Sequence, residues 1–351
     1  MVEDIIELFR DADPFKTWWP FIIAFLVFIV MTVKSYMGGQ NCPSENTIND
    51  LVVLLTGADG GIGREIVKEL ARRGGHIIMC CKNSENGEKI KKIIMKSLPN
   101  ARIDVRQLDL RFFESVTKLV NSIETDYSKI DIVINNAGVT FHPYKKTADG
   151  FETHLQVNYL SHFLMSYLLI PMLKKSKQGR IINVAAHAYA TGKMSVDDPL
   201  SNLSIFHPRD AFAHSKLAIV LSTKKLANFL KSTKITVNCL SPGLVRGTNH
   251  MRQSPLMRSF SAKILMLPWM WIFMKTPNLG AQTAIYLATD NSLSTVTGEY
   301  FNDCVQSDVV DIVKDEELGD KLFAETLRAL KLDGTNLNIS IDKFNDSKKK
   351  V

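Results

Sequence analysis

The sequence is short of several things, and each shortage narrows what the chain can be. Its five cysteines (Cys42, Cys80, Cys81, Cys239 and Cys304) form an odd set with no CxxC spacing. That argues against a disulfide framework and fits a reducing compartment, and no metal site is expected. No internal repeat or low-complexity tract interrupts the 351 residues, so the chain reads as one large domain with appendages. Disorder is excluded by a composition 45% hydrophobic and 23% charged. The net charge of +7 is spread over Lys and Arg in only short clusters, so nucleic acid is not an expected partner. A solvated basic surface, at ease beside an anionic membrane face, is the better reading.

Charge is missing altogether from one segment near the start. "WWPFIIAFLVFIVMTV", Trp18 to Val33, carries none and spans roughly 24 Å as a helix, a little less than the ~30 Å hydrocarbon core. Extension to Met37 with Lys34 snorkelling closes the gap, and the Trp18–Trp19 pair suits an interface. A secretory signal would need a basic start, whereas Glu3, Asp4, Glu7, Asp11 and Asp13 outnumber Arg10 and Lys16. An uncleaved single-pass anchor is therefore expected. Its basic flank is C-terminal, which puts the bulk of the chain in the cytosol and leaves the sequons at Asn202, Asn338 and Asn345 unmodified. The terminal "KKKV" looks like a dilysine retrieval signal, pointing to the endoplasmic-reticulum membrane. The organisation expected is an acidic terminus over 1–17, an anchor over 18–37, a linker over 38–50, a folded domain over 51–332 and a basic tail over 333–351.

Within the domain, short apolar runs alternate with amphipathic stretches. Strands are expected from Leu51, His76, Ala101, Ile130, Gly179, Ile235 and Gly298, with helices notably over Phe151 to Lys175 and Phe212 to Lys231. Val- and Ile-rich strands without polar alternation are buried on both faces, which means a parallel sheet covered by helices: a doubly wound, Rossmann-type α/β fold. A second apolar stretch, Ile264 to Met274, is too short to span a bilayer and is expected to break at Pro268. It reads either as a buried helix of a substrate pocket or as a lip dipping into the membrane, and either makes the pocket apolar.

The first strand runs into "TGADGGIG", Thr56 to Gly63, and then directly into a helix. In that context Gly57 permits the tight turn, Gly61 lets backbone approach a pyrophosphate, and Gly63 allows close helix packing, while the helix N-terminus supplies positive charge. The second strand ends in Lys82 and Asn83, where an NAD site would place an acid for the ribose 2′-hydroxyl. A cation there suits the 2′-phosphate of NADP(H).

The order and spacing of "TGADGGIG", "NNAG" (Asn135 to Gly138), "VNYLSHF" around Asn158, "HSKLAIVL" and "SPG" (Ser241 to Gly243) resembles the short-chain dehydrogenase/reductase family, and within it the microsomal retinol dehydrogenases. The resemblance covers roughly Asn49 to Leu332 and implies NADP(H)-dependent interconversion of an alcohol and a carbonyl, on a retinoid, steroid or other lipid-like molecule. It also implies roles. Asp109 would touch the adenine, Asn136, Ala137 and Gly138 would line the cofactor, and Lys216 would bind the nicotinamide ribose. Thr56, Ile62, Leu110, Pro242 and Gly243 would complete those contacts, and Asn158 would hold the water of a proton relay.

Three positions depart from the family pattern. The serine that orients the substrate oxygen is Ala186, after Ala185, the tyrosine of YxxxK is Phe212, and Gly247 stands where a threonine is usual, with Thr248 one residue late. Ser to Ala and Tyr to Phe keep shape and remove hydroxyls. The expectation is therefore an anchored NADP(H)-binding protein, catalytically impaired or inactive. The alternatives are an active oxidoreductase in which His187, Tyr189 or water donates the proton, His214 being turned away on its helix, and a structural membrane protein with an empty site.

Overall fold

The computed structural model of the chain describes residues 18–201, 206–247 and 260–332, with the backbone alone over 260–266. The three sequons, Thr248, the acidic terminus and the basic tail lie outside the described residues.

The uncharged run forms helix α1 (Trp19–Met37), and none of its side chains is buried. Among the described residues it is the one helix long and apolar enough to cross a membrane. The chain then alternates as expected: β1 (Val52–Thr56), α2 (Gly61–Arg72), β2 (His76–Cys81), α3 (Ser84–Ser97), β3 (Arg102–Gln107), α4 (Phe113–Asp126) and β4 (Ile132–Asn135). The second half holds α5 (Ser161–Leu168), α6 (Ile170–Leu173), β5 (Gly179–Val184), α7 (Pro208–Phe229), β6 (Ile235–Ser241), α8 (Phe260–Phe273) and α9 (Pro277–Thr289). It ends with β7 (Tyr300–Asn302), β8 (Val305–Gln306), α10 (Asp311–Lys314) and α11 (Glu316–Ala329).

The strands form one sheet in the order β3-β2-β1-β4-β5-β6-β7-β8. Every pairing through β7 is parallel, and β8 is antiparallel. Side chains alternate across each strand, so the sheet feeds two cores. Leu54, Ile78, Val133 and Ile181 pack with α4, α5, α7 and α11 on one face. Val53, Leu55, Ile77 and Ile134 pack with α2, α3 and α9 on the other.

The structure differs from expectation at four places. Strand β3 is half exposed, because it is the sheet edge and lacks a neighbour on one side. The Phe151–Lys175 stretch is not one helix: a turn of π-helix over Leu155–Leu160 precedes α5 and α6. Helix α8 runs through Pro268 rather than stopping there. Nor is α8 a buried pocket helix: Leu267, Trp269 and Trp271 are 57%, 42% and 40% exposed.

The 38–50 segment is also more than a tether. Arg73 donates to the Ser44 carbonyl at 2.6 Å, the Cys42 amide donates to Gln282 Oε1 at 2.9 Å, and Ile48 is buried. All five cysteines are free thiols.

Candidate dinucleotide cleft and catalytic helix

Strand order reverses between β1 and β4, and a cleft of about 760 Å³ opens there beyond the carboxyl ends of the strands. That is where an open α/β sheet takes its ligand. Thr56, Gly57, Gly61, Ile62, Gly63, Lys82, Asp109, Leu110, Asn136, Ala137 and Gly138 all line it. Gly57 turns at φ +62, and a Cβ there would lie 2.8 Å from the Ala137 backbone. A Cβ on Gly63 would lie 2.2 Å from the Gly57 carbonyl oxygen. Both glycines are thus required by close backbone approach. Helix α2 starts at Gly60 with no side-chain cap, so its first amides open to the cleft.

At the adenosine end the structure adds residues the sequence reading passed over. Asp59 lines the cleft and accepts from Asn86 Nδ2 at 2.9 Å. Burial, and then the Asp59 charge, push the Cys81 thiol up to about 12. Lys82 is exposed, while Asn83 caps α3 by accepting from the Asn86 amide. Burial alone would raise the Asp109 carboxyl, but the Arg111 guanidinium, 2.6 Å away, overrides it and holds the group below its ordinary value. An acid inside a glycine loop was visible in "TGADGGIG" and is the signal that could have found Asp59.

Below the cleft a buried polar chain joins the loop to the lysine helix. Thr56 Oγ1 accepts the amides of Asn136 and Ala137, each at 3.0 Å, and meets His162 Nε2 at 2.9 Å. With its lone pairs so used, the threonine donates its proton to Nε2, which leaves Nδ1 protonated and donating to the Asn158 carbonyl at 3.0 Å. Burial lowers the His162 pKa to about 4, so the ring is neutral, as this assignment requires. Asn158 lies in the π turn; its Oδ1 accepts from the Val139 amide at 2.8 Å and its Nδ2 donates to Ser215 Oγ at 3.0 Å. Ser215 in turn donates to the Phe212 carbonyl at 2.7 Å. His162 follows Asn158 by four residues and so lies on the same side of the helical segment.

Lys216 is buried, with its ammonium donating to the Val184 carbonyl at 2.8 Å, and burial pushes its pKa down to about 7. Its Nζ lies 5.7 Å from the centre of the Phe212 ring, so the two share a helix face. Ala186 begins the short 3-10 helix His187–Thr191 in extended conformation. The groups considered as replacement acids each have other partners. His187 contacts Asn302 Oδ1, on β7, at 3.2 Å. Tyr189 bonds the Val310 backbone and packs on the Tyr300 ring at 5.0 Å, and His214 reaches the Pro199 carbonyl at 3.0 Å. Pro242 and Gly243 follow β6 and are not among the cleft walls; Gly243 packs against Lys275. Among the described residues no cluster of His, Cys, Asp or Glu has the makings of a metal site.

A glycine-cradled cleft at the switch point of a doubly wound sheet, next to a helix bearing a buried lysine, defines a dinucleotide-binding α/β protein of the dehydrogenase kind. The family model for short chain dehydrogenases matches residues 51–258, and the chain belongs to that family. It is 38% identical to human retinol dehydrogenase 13 over 305 residues, 87% of this chain and 92% of that one. It is 36% identical to human retinol dehydrogenase 12, over 86% and 92% of the two chains. Among solved structures, a protein from Mycobacterium paratuberculosis superposes with TM-score 0.65 at 25% identity, covering 84% of this chain and 98% of that one. A short chain dehydrogenase from Escherichia coli CFT073, solved with NADPH, superposes with TM-score 0.59 at 25% identity, covering 74% and 99%.

Proposed function

We propose that the chain is a membrane-anchored protein that holds NADP(H) in the β1–β4 cleft and has lost most or all of its family's alcohol–carbonyl chemistry. The cleft fits the cofactor, since the walls at Gly57 and Gly63 leave no room for a Cβ where backbone must close on a diphosphate. The amides at the start of α2 would hold the phosphates, Lys82 the 2′-phosphate, Asp109 and Leu110 the adenine side, and Lys216 the nicotinamide ribose. When bound, the cofactor supplies a hydride to a carbonyl carbon, so that negative charge builds on its oxygen.

Meeting that charge requires a hydrogen-bond donor and then a proton. Position 186 offers a methyl group and position 212 a benzene ring. The observation that carries the reading is that both candidate substitutes have other partners: His187 is engaged by Asn302 and Tyr189 by the Val310 backbone. The names of the relatives support an apolar, retinoid-like ligand, and the absence of hydroxyls at positions 186 and 212 supports its being held rather than converted. Purified full-length protein should quench or enhance NADPH fluorescence on binding, while retinal or steroid carbonyl reduction stays at background. An ordinary rate, on the order of 1 per second, that disappears when His187 or Tyr189 is removed would instead establish a relocated acid.

The proposed location is the endoplasmic-reticulum membrane, with the domain in the cytosol. Support comes from Lys34 on the C-terminal side of α1 and from the terminal "KKKV". Glycosidase treatment of protein made in cells should leave its mobility unchanged; sugar on Asn202, Asn338 or Asn345 would reverse the topology.

A further inference from the structure

We infer that α8 is a second membrane element, lying beside α1 and immersed in the headgroup and upper acyl region of the bilayer that α1 crosses. Helix α8 packs against α1, and no charged residue occurs from Ile264 to Met274. Leu267, Trp269 and Trp271 nevertheless remain 57%, 42% and 40% exposed. A water-soluble surface does not leave so much contiguous apolar area uncovered without a partner. The partner is set by position, because the neighbouring α1 is itself apolar and wholly unburied.

The two helices leave the domain from one point. Helix α1 ends at Gly38 and Gly39, and a Cβ on Gly39 would lie 2.7 Å from Lys275 Cε, directly after the end of α8. Lys275 is buried, is paired with Asp303, and receives the Arg246 amide at 3.0 Å while its own amide donates to Leu244. Both helices therefore have their C-termini clamped to the domain and extend away from it side by side. At that foot the Lys34 ammonium lies 3.3 Å above the Trp271 ring. A cation and an indole together mark the headgroup level, where each keeps a polar end wet. Leu267 and Trp269, two to four residues farther from the domain, then lie roughly 3–6 Å deeper at helical rise. This placement needs neither cofactor nor turnover.

The test uses full-length protein in phosphatidylcholine–phosphatidylserine vesicles. The sequence has four tryptophans, so Trp18→Phe with Trp19→Phe leaves only Trp269 and Trp271 to emit. Lipids brominated near the carbonyl end should quench this emission more than lipids brominated near the bilayer centre, and aqueous iodide should have little effect. Iodide quenching without bromine quenching would put α8 in water. Quenching by neither would mean a second copy or other protein covers it, and either result overturns the inference. The companion protein Trp269→Phe with Trp271→Phe reports α1 through Trp18 and Trp19. If those are also untouched by brominated lipid, α1 is not in the bilayer and the inference falls with it.

Discussion

The two halves of the sheet present different things. Around β1, β2 and β4, backbone geometry and chemistry agree: glycines stand where a Cβ cannot, helix amides open to the cleft, and a cation lines its adenosine end. Around β5, β6 and α7 the geometry is equally well built, with Lys216 and residue 212 on one face and the Asn158–Ser215 bond in place, yet the side chains at 186 and 212 carry no hydroxyl. Binding a dinucleotide rests mostly on backbone and charge, whereas proton transfer rests on two oxygen atoms. A chain can lose the second without disturbing the first, because Ala and Phe fill nearly the volumes of Ser and Tyr.

The sharpest way to break the contrast is to restore those oxygens. Ala186→Ser with Phe212→Tyr should raise NADPH-dependent carbonyl reduction by about 10²–10⁴-fold over the parent protein. Each single replacement should recover much less, because donor and acid act as a unit. Steady-state assays on a retinoid or steroid carbonyl measure it, and no gain from the pair would mean that the catalytic half has been remodelled beyond these two positions.

The binding half should fail at its backbone. Gly63→Ala places a methyl 2.2 Å from the Gly57 oxygen. Overpacking of this kind costs about 1–3 kcal/mol, roughly 5- to 150-fold in affinity if the loop shift falls on the bound state. Fluorescence titration with NADPH reads the loss, and circular dichroism checks that the fold persists. Unchanged affinity would separate the glycine loop from the cofactor.

How much of this was legible beforehand follows the same division. Seven strands, their parallel pairing and the glycine cleft could be read because they rest on local pattern: apolar runs, a strand–loop–helix junction, spacing between motifs. Positions 186 and 212, which carry no hydroxyl, could be singled out only against the family pattern around them. Strand β8 was not legible, since a two-residue antiparallel edge carries no period. Nor was the Thr56–His162–Asn158–Ser215 chain, whose members come from β1, the π turn, α5 and α7 and meet only in three dimensions. The exposure of α8 was hidden for another reason: an apolar run reads the same whether protein or lipid is to cover it.

A smaller effect sharpens the binding half at its adenosine end. Lys82 and Asp59 both line the cleft there, with opposite charges. Lys82→Asp should weaken NADPH by about tenfold, some 1.4 kcal/mol, and turn the preference toward NADH, for which the ribose hydroxyls suit a carboxylate. Asp59→Asn should tighten NADPH more than NADH by removing a like charge near the 2′-phosphate. Paired titrations with both dinucleotides decide it, and equal responses would show that neither residue senses the phosphate.

The last effect, and the one that ties the two halves together, concerns Lys216. Without tyrosine beside it, the ammonium keeps one backbone acceptor and an aromatic ring, and burial lowers its pKa from 10.5 to about 7. Between those values the unfolded chain holds a proton that the folded chain has released, so stability must rise with pH across that window. Below about pH 7 both forms are protonated and the cost of the buried charge is fully felt. The cofactor-free protein should therefore melt a few degrees higher at pH 9 than at pH 7, on the order of 2 kcal/mol, and Lys216→Met should remove that slope. Ribose hydroxyls that accept from the ammonium would favour its charged form and lift its pKa, so saturating NADPH should flatten the same slope in the parent protein. A slope that persists in Lys216→Met belongs to other groups. A slope that NADPH leaves untouched would mean the lysine never meets the ribose, and Lys216 would then have no part in holding the cofactor.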